Sequence, residues 1–139
     1  DKRIQDGPAK LAEGLYVITS AGYDVKEAML ILEQAAMAGT AGITTTEIAA
    51  DVLISTLGAY GLAAEDAGKV TNSLFQIVNI SKYGFAELAS ALDSVTPTAA
   101  ALGISIDQIG ASMATMAAKG VDADTATVQM NAILTAMLK

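Results

Sequence analysis

The sequence contains no cysteine, no histidine and no tryptophan, and only 2 prolines in 139 residues. Missing thiols and imidazoles remove disulfides, thiol nucleophiles, the common zinc and haem ligands and the usual general base near neutrality. They also leave no sign of the redox compartment. Basic residues are scarce: 8 Lys and Arg face 15 Asp and Glu, for a net charge of −7. An acidic chain without a basic run is a poor partner for phosphate backbones, so no direct nucleic-acid binding is expected from this segment. Long apolar runs are lacking too. Charge-free stretches such as Val52–Ala64 and Ser94–Ile106 fall short of the roughly 18 apolar residues of a membrane span, and carry Gly, Ser, Thr or Pro. No initiator Met and no basic-then-apolar start is present, so no signal peptide is visible. The start at Asp1 and the end at Lys139, inside a helical pattern, read as a piece of a longer protein.

What is present is apolar and small. Hydrophobic residues make up 53% of the chain but aromatics only 4%; Ala is about a fifth and Met numbers 6. So apolar a chain offsets its ordering entropy by burial, which excludes disorder, and its length suits one folded domain. The Ala-rich composition favours helix over strand, and no period-two alternation competes.

A recurring phrase punctuates the chain: Gly, an apolar residue, a short polar residue, then an acidic or amide residue. It occurs at Gly22-Tyr23-Asp24-Val25-Lys26-Glu27, Gly42-Ile43-Thr44-Thr45-Thr46-Glu47 and Gly61-Leu62-Ala63-Ala64-Glu65-Asp66. It returns at Gly103-Ile104-Ser105-Ile106-Asp107-Gln108 and Gly120-Val121-Asp122-Ala123-Asp124, and in shortened form at Gly84-Phe85-Ala86-Glu87. Gly supplies a left-handed residue that closes one helix, and the next apolar residue packs back on its last turn. Asp24, Thr44, Ser105 and Asp122 then fall at helix N-caps, with Glu27, Glu47 and Gln108 as capping-box partners three residues on. Each phrase therefore ends one helix and starts the next, as in helical bundles.

Between the phrases the apolar period is helical. Val25, Ala28, Met29, Leu32, Ala35 and Ala36 form one face; Ile106, Ile109, Met113, Met116 and Ala117 a second; Ala126, Met130, Ile133, Leu134 and Met137 a third. Phe85, Leu88, Leu92, Val95, Ala99 and Leu102 make a stripe that Pro97 interrupts. With Thr96 as N-cap and Pro97 at the first helical position, this segment splits into two short helices. The expectation is an all-α bundle of seven or eight short helices, over about 8–21, 25–39, 45–60, 64–82, 85–95, 97–102, 106–119 and 123–138. Residues 1–7 are read as a frayed end or the tail of an upstream helix. The half from Gly22 to Leu62 resembles the half from Gly84 to Val121, a candidate internal pseudo-repeat. Small residues on inner faces imply close helix approach and a thin core.

No chemistry-bearing constellation emerges. The carboxylates lie mostly in caps or first turns, where the helix dipole and free N–H groups favour negative charge. Asp122-Ala123-Asp124 resembles the opening of a calcium loop but lacks the later oxygen ligands and the Glu at the twelfth position. No Ser or Thr has a His partner, a Gly-x-Ser-x-Gly elbow or a Ser-x-x-Lys spacing, and the glycines form neither GxGxxG nor a P-loop. No catalytic residue, metal site or cofactor is expected. The methionines read as core filler, or as lining for a partner helix.

Several ordered segments carry a family resemblance. They are Ala35-Ala36-Met37-Ala38-Gly39, Ala49-Ala50-Asp51-Val52-Leu53 through Leu57-Gly58-Ala59-Tyr60-Gly61-Leu62, and Gly84-Phe85-Ala86-Glu87-Leu88-Ala89. Pro97-Thr98-Ala99-Ala100-Ala101-Leu102-Gly103-Ile104 and Ala117-Ala118-Lys119-Gly120-Val121 complete the set. In this order, from about Leu11 to Lys139, the chain resembles the core domain of bacteriophage tail tape measure proteins of siphophages and prophages. It departs from them at Thr71-Asn72-Ser73 and Lys82-Tyr83-Gly84. The resemblance implies a structural virion protein in the tail-tube lumen, made in the host cytoplasm, that sets tail length and takes part in genome ejection. It implies copies of itself, the tail tube protein and a tail assembly chaperone as partners, host-membrane contact at ejection, and no catalytic residues. Helices that stop roughly every twenty residues measure little length, so a compact module is expected rather than a ruler shaft. The alternative reading is a non-phage amphipathic helical module, membrane-active or partner-recruiting.

Overall fold

The computed structural model describes residues 7–41 and 43–139, so Gly42 and residues 1–6 lie outside the described residues. Among the described residues there are seven α-helices and no strand. They are α1 (Pro8–Ser20), α2 (Val25–Thr40), α3 (Thr46–Ala59), α4 (Ala67–Ser81), α5 (Phe85–Ala101), α6 (Ile106–Ala118) and α7 (Ala123–Met137). A single 3-10 turn, Ala64–Asp66, leads into α4. The chain divides into two compact units, the first ending at Thr71 and the second running Asn72–Lys139.

In the first unit α1, α2 and α3 pack on one another. Ile18 of α1, Ile31 and Leu32 of α2, and Leu53 and Leu57 of α3 supply the bulk of its core. Ala28, Ala35, Ala36, Ala49 and Ala50 fill the rest and keep the axes close. Gly14 shows how close: a Cβ there would lie 2.9 Å from Thr46 Cγ2 and 3.0 Å from Leu32 Cδ1. In the second unit α5 and α7 make the largest helix pair, and α6 packs on both. Leu88, Leu92 and Val95 of α5, Ile109 and Met113 of α6, and Leu134 of α7 are its buried large residues, joined by Leu74 and Ile77 of α4.

Two helical faces sit differently from the expected stripes. On α2 Val25 is 75% and Met29 53% exposed, and Ile31 takes their place in the core. On α7 Ala126, Met130 and Leu134 are buried, whereas Ile133 and Met137 are more than half exposed. Residues spaced three and four apart define two overlapping stripes on one helix, and only the partner helix selects between them.

Pro97 does not start a helix. α5 is continuous across it, from Phe85 to Ala101. An internal proline forfeits one helical hydrogen bond and strains the preceding turn, at about 3 kcal/mol. Here the ring is on the exposed side, and the carbonyl four residues back belongs to exposed Asp93, within reach of water. On the opposite side Leu88, Leu92, Val95 and Ala99 form one buried stripe through the proline. Splitting the helix would break that stripe, so burial overrides the local signal. Thr96 is then an interior residue, 1% exposed, whose hydroxyl has no partner, as has that of Thr56 in α3.

Candidate functional site

The features that the sequence singles out are helix junctions, and the structure resolves their chemistry one by one. Asp24 caps α2 with a reciprocal pair: the Glu27 N–H donates to Asp24 Oδ1 at 2.8 Å, and the Asp24 N–H to Glu27 Oε2 at 3.0 Å. Ser105 and Gln108 repeat that arrangement at α6, at 3.1 and 2.9 Å. At α7 Asp122 accepts from the Thr125 N–H at 2.8 Å and from the Thr125 hydroxyl at 3.0 Å. These bonds to the ionised form hold the Asp122 carboxyl below the usual carboxylate range.

The α3 cap falls one residue later than the phrase suggests. Thr45, not Thr44, is extended and accepts from the Ile48 N–H at 3.2 Å. Glu47 becomes the second helical residue, too early to reach back, and no capping box forms with it. Three consecutive threonines offer equal capping chemistry, so burial decides: this phase puts Thr46, Ala49, Ala50 and Leu53 on the core side. At the turn before α4 only the back-reaching half of a box exists, Asp66 accepting from the Ala63 N–H at 3.2 Å, because Ala63 has no acceptor.

Among the described residues four glycines take the left-handed conformation: Gly22, Gly61, Gly103 and Gly120, with φ of 97°, 63°, 76° and 82°. After three of them the next N–H closes back on the ending helix, Leu62 to Leu57, Ile104 to Ala99 and Val121 to Met116. Gly84 departs from the rule. Its φ is −64°, and it is the N-cap of α5 without a side-chain bond. The left-handed residue of that junction is Lys82, with φ 65°, the one non-glycine among the described residues with positive φ.

The α4–α5 junction is tied down elsewhere. The Tyr83 hydroxyl donates to the Val121 carbonyl, joining this linker to the α6–α7 turn. Burial pushes the Tyr83 phenol above its usual pKa, with the Asp122 and Glu87 charges adding to the effect. The Tyr83 N–H donates to Ser81 Oγ at 3.2 Å, and the Phe75 and Phe85 rings meet edge to face at 6.4 Å. The sequence carried no periodic signal for Lys82 or Tyr83; a three-residue linker lacking a glycine directly after α4 was the available cue.

Each unit carries a concavity among its described residues. One of about 240 Å³ in the first unit is lined by Lys10, Glu13, Thr45, Thr46 and Glu47. Another of about 300 Å³ in the second unit is lined by Gln76, Ile77, Ile80, Asp107, Gly110 and Ala111. Among the described residues no group of three or more His, Cys, Asp or Glu side chains is placed to hold a metal ion. No helix among them is long and apolar enough to cross a membrane. Asp122 and Asp124, whose spacing resembles the opening of a calcium loop without its later ligands, are the cap and first turn of α7.

The cap of α7 has a measurable pH signature. The Asp122 pKa is lower folded than unfolded, so its stabilisation is complete above the unfolded value of 3.8 and is lost as pH falls through the folded one. Melting curves between pH 5 and about 2 should therefore show a smaller acid loss in Asp122→Asn, which still caps but does not titrate. An unchanged acid slope would remove this assignment.

Comparison with known proteins gives a consistent set of matches. A family model described as phage-related minor tail protein matches residues 5–139. A tape measure protein of Pneumococcus phage Dp-1 is 29% identical over 132 residues, covering 92% of this chain and 11% of its own length. A probable tape measure protein of Clostridium phage phiCD119 is 32% identical over 130 residues, covering 91% of this chain and 14% of its own. This chain thus spans a small fraction of the relatives it matches. No solved structure matches.

Proposed function

Because the chain belongs to the phage-related minor tail protein family, we propose that it is a structural, non-catalytic segment of a tape measure protein, used as a folded module. Both named relatives are phage proteins, which favours this reading over a non-phage membrane-active module. In this reading the whole parent protein lies in the tail-tube lumen, sets tail length and takes part in genome ejection. Its partners are copies of itself, the tail tube protein and a tail assembly chaperone, with the host membrane contacted at ejection.

The observation that carries the module reading is the left-handed glycine between helices. A ruler gains about 1.5 Å per residue only while its helix is continuous. The longest helix here has 17 residues, or about 26 Å. Straightening a junction would place glycine inside a helix, at about 1 kcal/mol each relative to alanine. The segment is therefore suited to assembly initiation, anchoring or ejection, and not to the ruler shaft.

In-frame deletion of these residues from the parent gene, followed by electron microscopy of tails and infection assays, tests this. Tails of unchanged length with poor infection are the expected result. Tails shorter by on the order of 210 Å, the span of the segment as continuous helix, would make it part of the ruler.

A further inference from the structure

The α4–α5 junction differs from the glycine-closed junctions in the sign of its backbone preference. Left-handed Gly22, Gly61, Gly103 and Gly120 are unstrained there and poor inside a helix, so each favours the bend on both counts. Lys82 is the reverse: φ 65° is costly for a side-chain-bearing residue, and lysine is a good helix former. Gly84 at the N-cap has no side chain to reward the helix start. The bend is held instead by the burial of Leu74 and Ile77 of α4 in the second unit, together with the Tyr83–Val121 bond, the Ser81–Tyr83 bond and the Phe75–Phe85 ring contact. Close backbone approach is concentrated among α5, α6 and α7, whereas α4 has little of it with them.

We infer that the α4–α5 junction is a hinge, whose open state fuses α4 and α5 into one helix over residues 67–101 while the glycine-closed junctions stay shut. The open helix would be about 52 Å long. Opening separates the two phenylalanine rings from 6.4 Å to roughly 15 Å along the axis, ten residues apart. It also withdraws Ile77 from Gly110, uncovering the α6 face that Ile77 occupies. The inference rests on the backbone and bonds of this chain alone, and not on its place in a tail.

The sequence has no cysteine, so two can be introduced cleanly at exposed Asn72 and Ser90 for spin labels. Pulsed electron-electron distances on the isolated chain should show a dominant short population and a minor one near 27 Å, the continuous-helix separation. Lys82→Gly should reduce the minor population roughly tenfold, by removing left-handed strain and weakening the straight helix. Tyr83→Phe with Gly84→Ala should raise it by at least as much, with helical content preserved. No population near 27 Å in the Tyr83→Phe, Gly84→Ala chain, or a population there that Lys82→Gly leaves unchanged, would overturn the hinge.

Discussion

Leu92→Ala is expected to destabilise the second unit by about 3 kcal/mol, measured as a drop in the urea midpoint at constant slope. Leu92 lies in mid-α5 and is 1% exposed. The direct loss is the transfer free energy of three buried carbons, and the remainder comes from the cavity. The size of the cavity term follows from the character of this core. Of the 15 buried hydrophobic residues described in the second unit 5 are alanine, which cannot extend into the space that a larger side chain leaves. Alanine has no rotamer to swing into a void, which limits collapse around the missing leucine. A loss below about 1 kcal/mol would mean that the helices close the gap by moving, and that the core is softer than its burial implies.

The second large effect is a difference in sign. Gly110→Ala in α6 should destabilise by about 1–3 kcal/mol, whereas Gly58→Ala in α3 should stabilise by up to about 1 kcal/mol. Both glycines are inside helices, so both substitutions gain helix propensity. They differ in what the new methyl meets. At Gly58 nothing lies within 4 Å; at Gly110 the methyl falls 2.5 Å from Ile77 Cδ1 and also overlaps Ile77 Cγ1. Ile77 is 4% exposed and branched at its β-carbon, so it cannot swing aside into solvent. In an Ile77→Ala background the penalty at Gly110 should vanish and the propensity gain appear, a coupling that a double-mutant cycle reads directly. Additive effects at the two positions would show that α4 and α6 do not meet there.

The contrast between those glycines also marks what was legible in the sequence. The junction chemistry of Asp24, Glu27, Ser105, Gln108 and Asp122 is local: donor, acceptor and spacing all lie within four residues. The helix ends at Gly22, Gly61, Gly103 and Gly120 are local in the same sense. What fails to show is whatever a distant partner decides. Thr44 and Thr45 are equivalent until the core side of α3 is fixed, and Pro97 reads as a start until the buried stripe is seen to run through it. Gly84 matches the junction phrase in letters, but the left-handed residue sits two positions earlier, at Lys82. Gly110 carries no junction phrase, and its role is set by an isoleucine 33 positions away in the chain. Nothing about Val25, Met29, Ile133 or Met137 distinguishes them by period from the neighbours that are buried.

The short junctions have a consequence for biosynthesis. Within the first unit each helix meets its sequence neighbours, and in the second α5, α6 and α7 do the same, so most contacts close small loops. Topologies of such low contact order fold in microseconds to milliseconds. A ribosome adding about 5–20 residues per second needs many seconds to make a stretch of this length. In a protein as long as the relatives, of which this stretch matches 11% and 14%, these helices would reach their native pairing as the stretch emerges, without waiting for the rest of the polypeptide. An Ala- and Met-rich stretch would thereby spend almost none of its life with its apolar faces bare.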